Sequence, residues 1–131
     1  MNALTGEKIW QVGIGYTAEC AATVSPSGYI FPCPSGSDNN SHFVIIRDAG
    51  DHGEIVFENF DYQPLSSSAA GLLDRFVVVG RKKNNNQVEL LVIDPHNGII
   101  SKNPWVGYQP NKATGISLNN DGWIFVNAIG K

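Results

Sequence analysis

Tyrosine recurs at Tyr16, Tyr62 and Tyr108, each forty-six residues after the last, and the second and third copies open the tripeptide Tyr-Gln-Pro with Gln63 and Gln109. A phenol beside a primary amide is a pairing suited to sugars: the ring covers an apolar sugar face while the amide both donates and accepts hydrogen bonds. The same residues can instead serve structure, with the ring filling the gap between neighbouring repeats and the hydroxyl reaching a backbone carbonyl. A repeat needs such anchors before it needs sites. Tyr16, Tyr62, Gln63, Tyr108 and Gln109 are therefore the candidate ligand-binding positions, with anchoring as the competing use.

Other chemistry is thin. The histidines are His42, His52 and His96. His52 and His96 sit in the corresponding stretches "DAGDHG" and "DPHNG", where solvated turns are expected, and acid–base or metal chemistry would require them to converge. Ser66, Ser67 and Ser68 lack the Gly-x-Ser-x-Gly elbow of a nucleophile, and Cys20 beside Glu19 lacks a partner base. The "GIG" at 13–15 opens no helix and so is no phosphate loop. No catalytic residue, metal site or cofactor is expected. Arg75 and Glu19 are single charges beside apolar strands, able to pair internally or to point into a central channel. If "SPSG" at 25–28 is a two-residue hairpin turn, Tyr29 faces Val24, Phe31 faces Ala22 and Cys20 faces Cys33, with Cα atoms within about 6 Å. A disulfide and two buried thiols both fit that register.

The elements that must position these residues are strands. Eleven short runs rich in β-branched and aromatic residues, from "KIWQVGI" through "HFVIIR" and "RFVVVG" to "WIFVNAI", are bounded by Gly, Pro, Asn, Asp and Ser, and no segment reads as a helix. The forty-six-residue frame places Asp48 on Asp94, and each is followed by a polar turn and a glycine, Gly53 or Gly98; Gly6 completes the series. The chain reads as a single all-β domain, 1–131, of three four-stranded antiparallel repeats at approximately 3–48, 49–94 and 95–131, the last without its final strand. Tyr29, Phe31, Val44, Ile46, Val77, Val92, Ile116 and Phe125 are the expected core.

The stretches "LLVIDPHNGII" and "LTGEKIWQ" resemble the junction between the fourth and first strands in quinoprotein-like and WD-type β-propeller repeats, where an apolar strand ends in Asp and a Gly turn leads to a strand often carrying Trp. Trp10 and Phe57 match that last position, and Lys102 stands there in the third repeat. The Trp-Asp pair and the Gly-His of WD repeats are missing. The resemblance implies propeller-like blades, and quinone binding is not implied by it. A β-trefoil, also three four-stranded repeats, is the rival, because three blades are too few to close a ring. In the blade reading an open edge and two apolar faces favour a homo-oligomer, most simply a dimer closing a six-bladed ring.

Composition narrows the partners. A net charge of -3 and a pI near 5.5 give no nucleic-acid footprint, and the cluster "RKKNNN" at 81–86 reads as a hairpin tip. The sequence carries neither an 18-residue apolar run nor a visible signal peptide. Three function classes follow: a non-enzymatic binding or scaffolding module with a protein ligand, a carbohydrate-binding protein with repeated sites at the tyrosine loops, and a fragment or subunit of a propeller enzyme.

Overall fold

The computed structural model describes residues 3–16, 22–32, 40–65, 69–70, 72–105, 110–118 and 124–130. They form an all-β protein. The first sheet is an antiparallel meander of β1 (Thr23–Val24), β2 (Tyr29–Phe31), β3 (Phe43–Asp48) and β4 (Gly53–Asn59), adjacent in chain order. In the second, β5 (Tyr62–Pro64) and β6 (Ala69–Ala70) pair with opposite ends of β7 (Phe76–Lys82) and act as one interrupted edge strand. Then follow β8 (Val88–Asp94) and β9 (Gly98–Pro104), so this sheet too is four strands wide. A separate hairpin joins β10 (Pro110–Leu118) to β11 (Ile124–Gly130). One 3-10 turn, Leu72–Asp74, precedes β7, and among the described residues no helix is long and apolar enough to cross a membrane.

Two expectations change. Three four-stranded units were expected, whereas the described residues hold two four-stranded sheets and a two-stranded hairpin. The difference is one of phase. The strand after each junction glycine pairs backward, Gly53 opposite Asp48 and Gly98 opposite Asp94, because a tight turn delivers a strand directly onto the one it has just left. Each sheet thus takes three strands from one repeat and its fourth from the next. By the same rule "KIWQVGI" would pair with a strand before Gly6, but residues 3–5 form a turn and residues 6–14 carry no strand. Trp10 is instead laid against Gly53, where an added Cβ would come 2.6 Å from the indole, and its Nε1 donates to Asp48 Oδ1 at 3.0 Å.

The β1–β2 register is also corrected. Val24 faces Ile30 and Thr23 faces Phe31, one residue away from the expected pairing. Gly28 adopts φ +87°, its amide donates to the Ser25 carbonyl, and the Ser25 amide donates to the Tyr29 carbonyl. This is a β-turn followed by a bulge, and the extra residue slips the ladder by one. The register that set Cys20 opposite Cys33 is therefore not that of the hairpin. The cysteines themselves lie outside the described residues.

The main core lies between the sheets. Phe31, Phe43 and Ile45 from the first meet Tyr62, Phe76, Val78, Leu91 and Ile93 from the second. The other face of the second sheet, through Leu65, Val79 and Val88, packs on Trp105 and on Ile116 of β10. Strands β7 and β8 are covered on both sides, which is why their sequences are apolar without alternation. Of the expected core, Phe31, Val44, Ile46 and Val77 are buried, and Tyr29, Val92 and Ile116 are half-buried. The side chain of Phe125 is outside the described residues. Ile45 and Leu91, forty-six residues apart in the repeat, both enter the same core, so the sheets meet through equivalent faces.

Candidate functional site

The chain passes from the first sheet to the second at Phe60–Asp61. There the Asn59 Oδ1 accepts the Asp61 amide at 2.9 Å, and the Asp61 carbonyl accepts the Lys83 amide at 2.9 Å. The crossing is thereby tied to the β7–β8 hairpin, whose tip is the "KKNNN" stretch. In that tip the amide of Asn86, at φ +60°, donates to the Lys82 carbonyl, and Asn85 Oδ1 accepts the Gln87 amide. A turn of such polar residues explains the basic cluster locally, but it also places Lys82 and Lys83 beside the crossing.

Phe60 is left 61% exposed, yet it is held in one place. What holds it is His42, whose ring stacks beneath it at 4.1 Å between centroids and 21° between planes. His42 is buried and fixed at both nitrogens, Nδ1 lying 2.9 Å from the Asn40 carbonyl and Nε2 lying 2.9 Å from Glu58 Oε2. With neither nitrogen open to solvent, His42 is a support rather than an acid–base group. Tyr16 meets it edge-on at 5.3 Å, and its own hydroxyl is buried without a hydrogen-bond partner among the described residues; burial pushes that hydroxyl up to about 12.

Two cavities open on either side of Phe60. One, of about 420 Å³, is lined by Gly13–Gly15, Asn40, His42 and Glu58; the other, of about 380 Å³, by Asn59, Asp61, Lys82, Asn84 and Lys102. Phe60 and Lys83 belong to both, so the phenyl ring forms a ridge in a continuous groove. Both volumes lie in the roughly 300–1,000 Å³ range of small-molecule sites.

The sequence-derived positions fall unevenly on this groove. Tyr62 borders the second cavity, yet it is 1% exposed: its ring stacks on Phe43 at 5.4 Å and 16°, and its hydroxyl donates to Glu89 Oε1 at 3.2 Å. It anchors one sheet to the other, with a carboxylate where a carbonyl was expected. Burial pushes its hydroxyl up to about 12, and the charge of Glu89 adds to the effect. Gln63 is half-buried opposite Arg81. Tyr108 and Gln109, like Glu19 and Ser66–Ser68, lie outside the described residues. Phe60, His42 and Glu58 were missed; the signal for them is an apolar residue in a polar turn next to "RKKNNN", which only the crossing between sheets makes meaningful.

Several other charged groups are held in the junctions. Asp48 Oδ1 accepts the Gly50 amide at 2.9 Å as well as the Trp10 indole, and both hold its carboxyl below the usual range. Burial pushes Asp94 up, but the amides of His96 and Asn97 and the nearby Arg75 guanidinium outweigh it, and the carboxyl sits low. Arg75 Nε lies 3.6 Å from Asp94 Oδ2, which settles its pairing as internal. Both junction histidines are exposed: His52 lies between Asp51 and Glu54, and His96 Nε2 is 3.1 Å from the Tyr29 hydroxyl. No group of three or more His, Cys, Asp or Glu side chains is arranged to hold a metal ion among the described residues.

The chain is similar to Protein Rv3035 of Mycobacterium tuberculosis, with 30% identity over 125 residues. That match takes in 92% of this chain and spans 29% of the relative's length. No protein-family model and no solved structure matches the chain.

Proposed function

We propose that the chain is a non-enzymatic binding module built of propeller-like four-stranded repeats, with its ligand site at the groove divided by Phe60. The observation that carries the reading is a phenyl ring 61% exposed yet clamped on a buried, carboxylate-backed imidazole between two cavities. An exposed aromatic face costs roughly 25 cal/mol per Å² of apolar area left in water, a cost that a ligand covering it removes. The staggered meanders, each borrowing a strand from the next repeat, support the kinship with propeller blades. The contact through equivalent faces makes this pair of sheets a sandwich. The relative's greater length fits a reading in which such repeats form part of a longer array, as they would in the subunit of a propeller enzyme.

The carbohydrate reading is favoured by a second observation: Asn40, Asn59 and Asn84 line the cavities on both sides of the ring, and amides around an aromatic platform suit sugar hydroxyls. It moves from the tyrosines to Phe60, since the closed ring of Tyr62 offers no face. A glycan array with the wild-type chain and Phe60→Ala tests it. Binding that Phe60→Ala abolishes supports the site, whereas binding untouched by that change overturns it. Self-association belongs to the same proposal, through the sheet edge at β4, where Ile55 and Val56 are exposed. Light scattering should report a dimer or larger species that Val56→Lys reduces to monomer.

A further inference from the structure

The two halves of the groove differ in charge. His42 and Glu58 form a closed pair in the first cavity, which Lys83 also borders, while three of the chain's nine lysines and arginines, Lys82, Lys102 and the shared Lys83, line the second. Against them stand the exposed Asp61 in the wall and the buried Glu89, whose Oε1 is 3.9 Å from Lys82 Nζ. Three cations facing two acids leave the cavity positive in a protein whose net charge is -3.

Lys102 is the informative member. It occupies the repeat position of Trp10 and Phe57, and each of those aromatics lies against a junction glycine, Trp10 on Gly53 and Phe57 on Gly98. In β9 the same position carries a cation, paired across the ladder with Leu91 and opening into the cavity. A repeat that drops its aromatic for a lysine where two further lysines converge has given up packing for charge.

We propose that the second cavity binds the tetrahedral oxyanion of a phosphorylated or sulfated sugar, whose ring lies on Phe60; this rests on the groove being the ligand site. Lysines act as point charges without Arg's planar fork, and so suit a tetrahedral group with several oxygens better than a flat carboxylate. Asn59 and Asn84 supply amide donors beside them, and the phenyl ridge is adjacent, so anion and sugar ring are met by neighbouring surfaces.

Isothermal titration with glucose 6-phosphate, glucose 6-sulfate, glucuronate, glucose and inorganic phosphate tests the proposal. One or both of the first two should bind more tightly than glucuronate, glucose or inorganic phosphate, and which of them is tighter distinguishes phosphate from sulfate. Lys83→Gln and Lys102→Gln should each weaken the charged sugar by roughly twofold to fivefold, the worth of a partly exposed charge pair, and raised salt should weaken it further. Phe60→Ala should weaken the charged sugar and leave inorganic phosphate unchanged. Neutral and charged sugars bound equally, with no effect of the lysine changes but loss in Phe60→Ala, would overturn the oxyanion site and leave the groove reading intact. No binding of any sugar, charged or neutral, would overturn both. Circular dichroism of each variant separates lost binding from lost folding, and because Lys102 is exposed the Lys102→Gln chain keeps the test decisive.

Discussion

Tyr16 and Tyr62 stand at the same place in the repeat and meet opposite fates. Tyr62 is sealed between the sheets, its ring on Phe43 and its hydroxyl on Glu89. Tyr16 leans edge-on against His42, and its hydroxyl is buried with nothing to bond among the described residues. The repeat explains why. Glu89, the acceptor that satisfies Tyr62, corresponds to Phe43 one repeat earlier, so the first copy has no carboxylate at that position. Phe43 instead supplies the face on which the next repeat's tyrosine stacks. A period therefore carries backbone and packing from one copy to the next, but a buried polar pair exists only where both partners are present.

That contrast can be broken most severely at the shared contact. Tyr62→Ala removes a fully buried ring from the centre of the inter-sheet core and should cost roughly 3–5 kcal/mol of stability by denaturant titration. Gly80→Ala probes the same contact from the other side: an added Cβ would meet Phe43 at 2.6 Å, and the overpacking should cost roughly 1–3 kcal/mol. Tyr62→Phe keeps the stack but strips Glu89 of its hydroxyl donor, leaving Lys82 at 3.9 Å, and should cost roughly 1–3 kcal/mol. Tyr16→Phe should do the reverse. It removes a buried hydroxyl that makes no bond among the described residues, so melting should show stability unchanged or raised by up to about 1 kcal/mol. If the two Tyr→Phe variants lost equal stability, the contrast would be wrong.

Titration sharpens the comparison from the alkaline side. Both hydroxyls are pushed up to about 12, above the ordinary 10.0 of an unfolded chain. A raised folded value means that the stabilisation is complete below pH 10 and disappears as pH climbs from 10 toward 12. Tyrosinate absorbance should therefore rise late for these two and together with unfolding. Lowering Glu89's charge by Glu89→Gln should bring Tyr62 down and leave Tyr16 where it is, because burial alone raises the latter. The smallest effect lies at the acid side, where the depressed carboxyls of Asp48 and Asp94 contribute stability above the ordinary carboxylate range. That contribution is lost as pH falls through their folded values. Asp94→Asn and Asp48→Asn should each flatten this acid slope.

Strand class and most of the core could be read from local chemistry, because β-branched runs closed by Gly, Pro and Asn leave the backbone few alternatives to a meander. The runs at 76–79 and 90–93 are apolar without alternation, and their strands are covered on both faces. The stagger was hidden, since the sequence marks a turn at Gly53 and Gly98 but is silent on which sheet counts the following strand as its own. The bulge at Gly28 was hidden for a similar reason: two-residue and bulged turns draw on the same residues, and one extra residue reverses every facing. What the sequence determined about this protein unaided is its periodicity, because hydrophobic pattern and turn residues act within a few neighbours along the chain. Phe60 on His42, the equivalent faces meeting at Ile45 and Leu91, and the lysines drawn to one cavity were decided only by tertiary structure, since each joins residues whose separation in the chain carries no energy until the sheets are stacked.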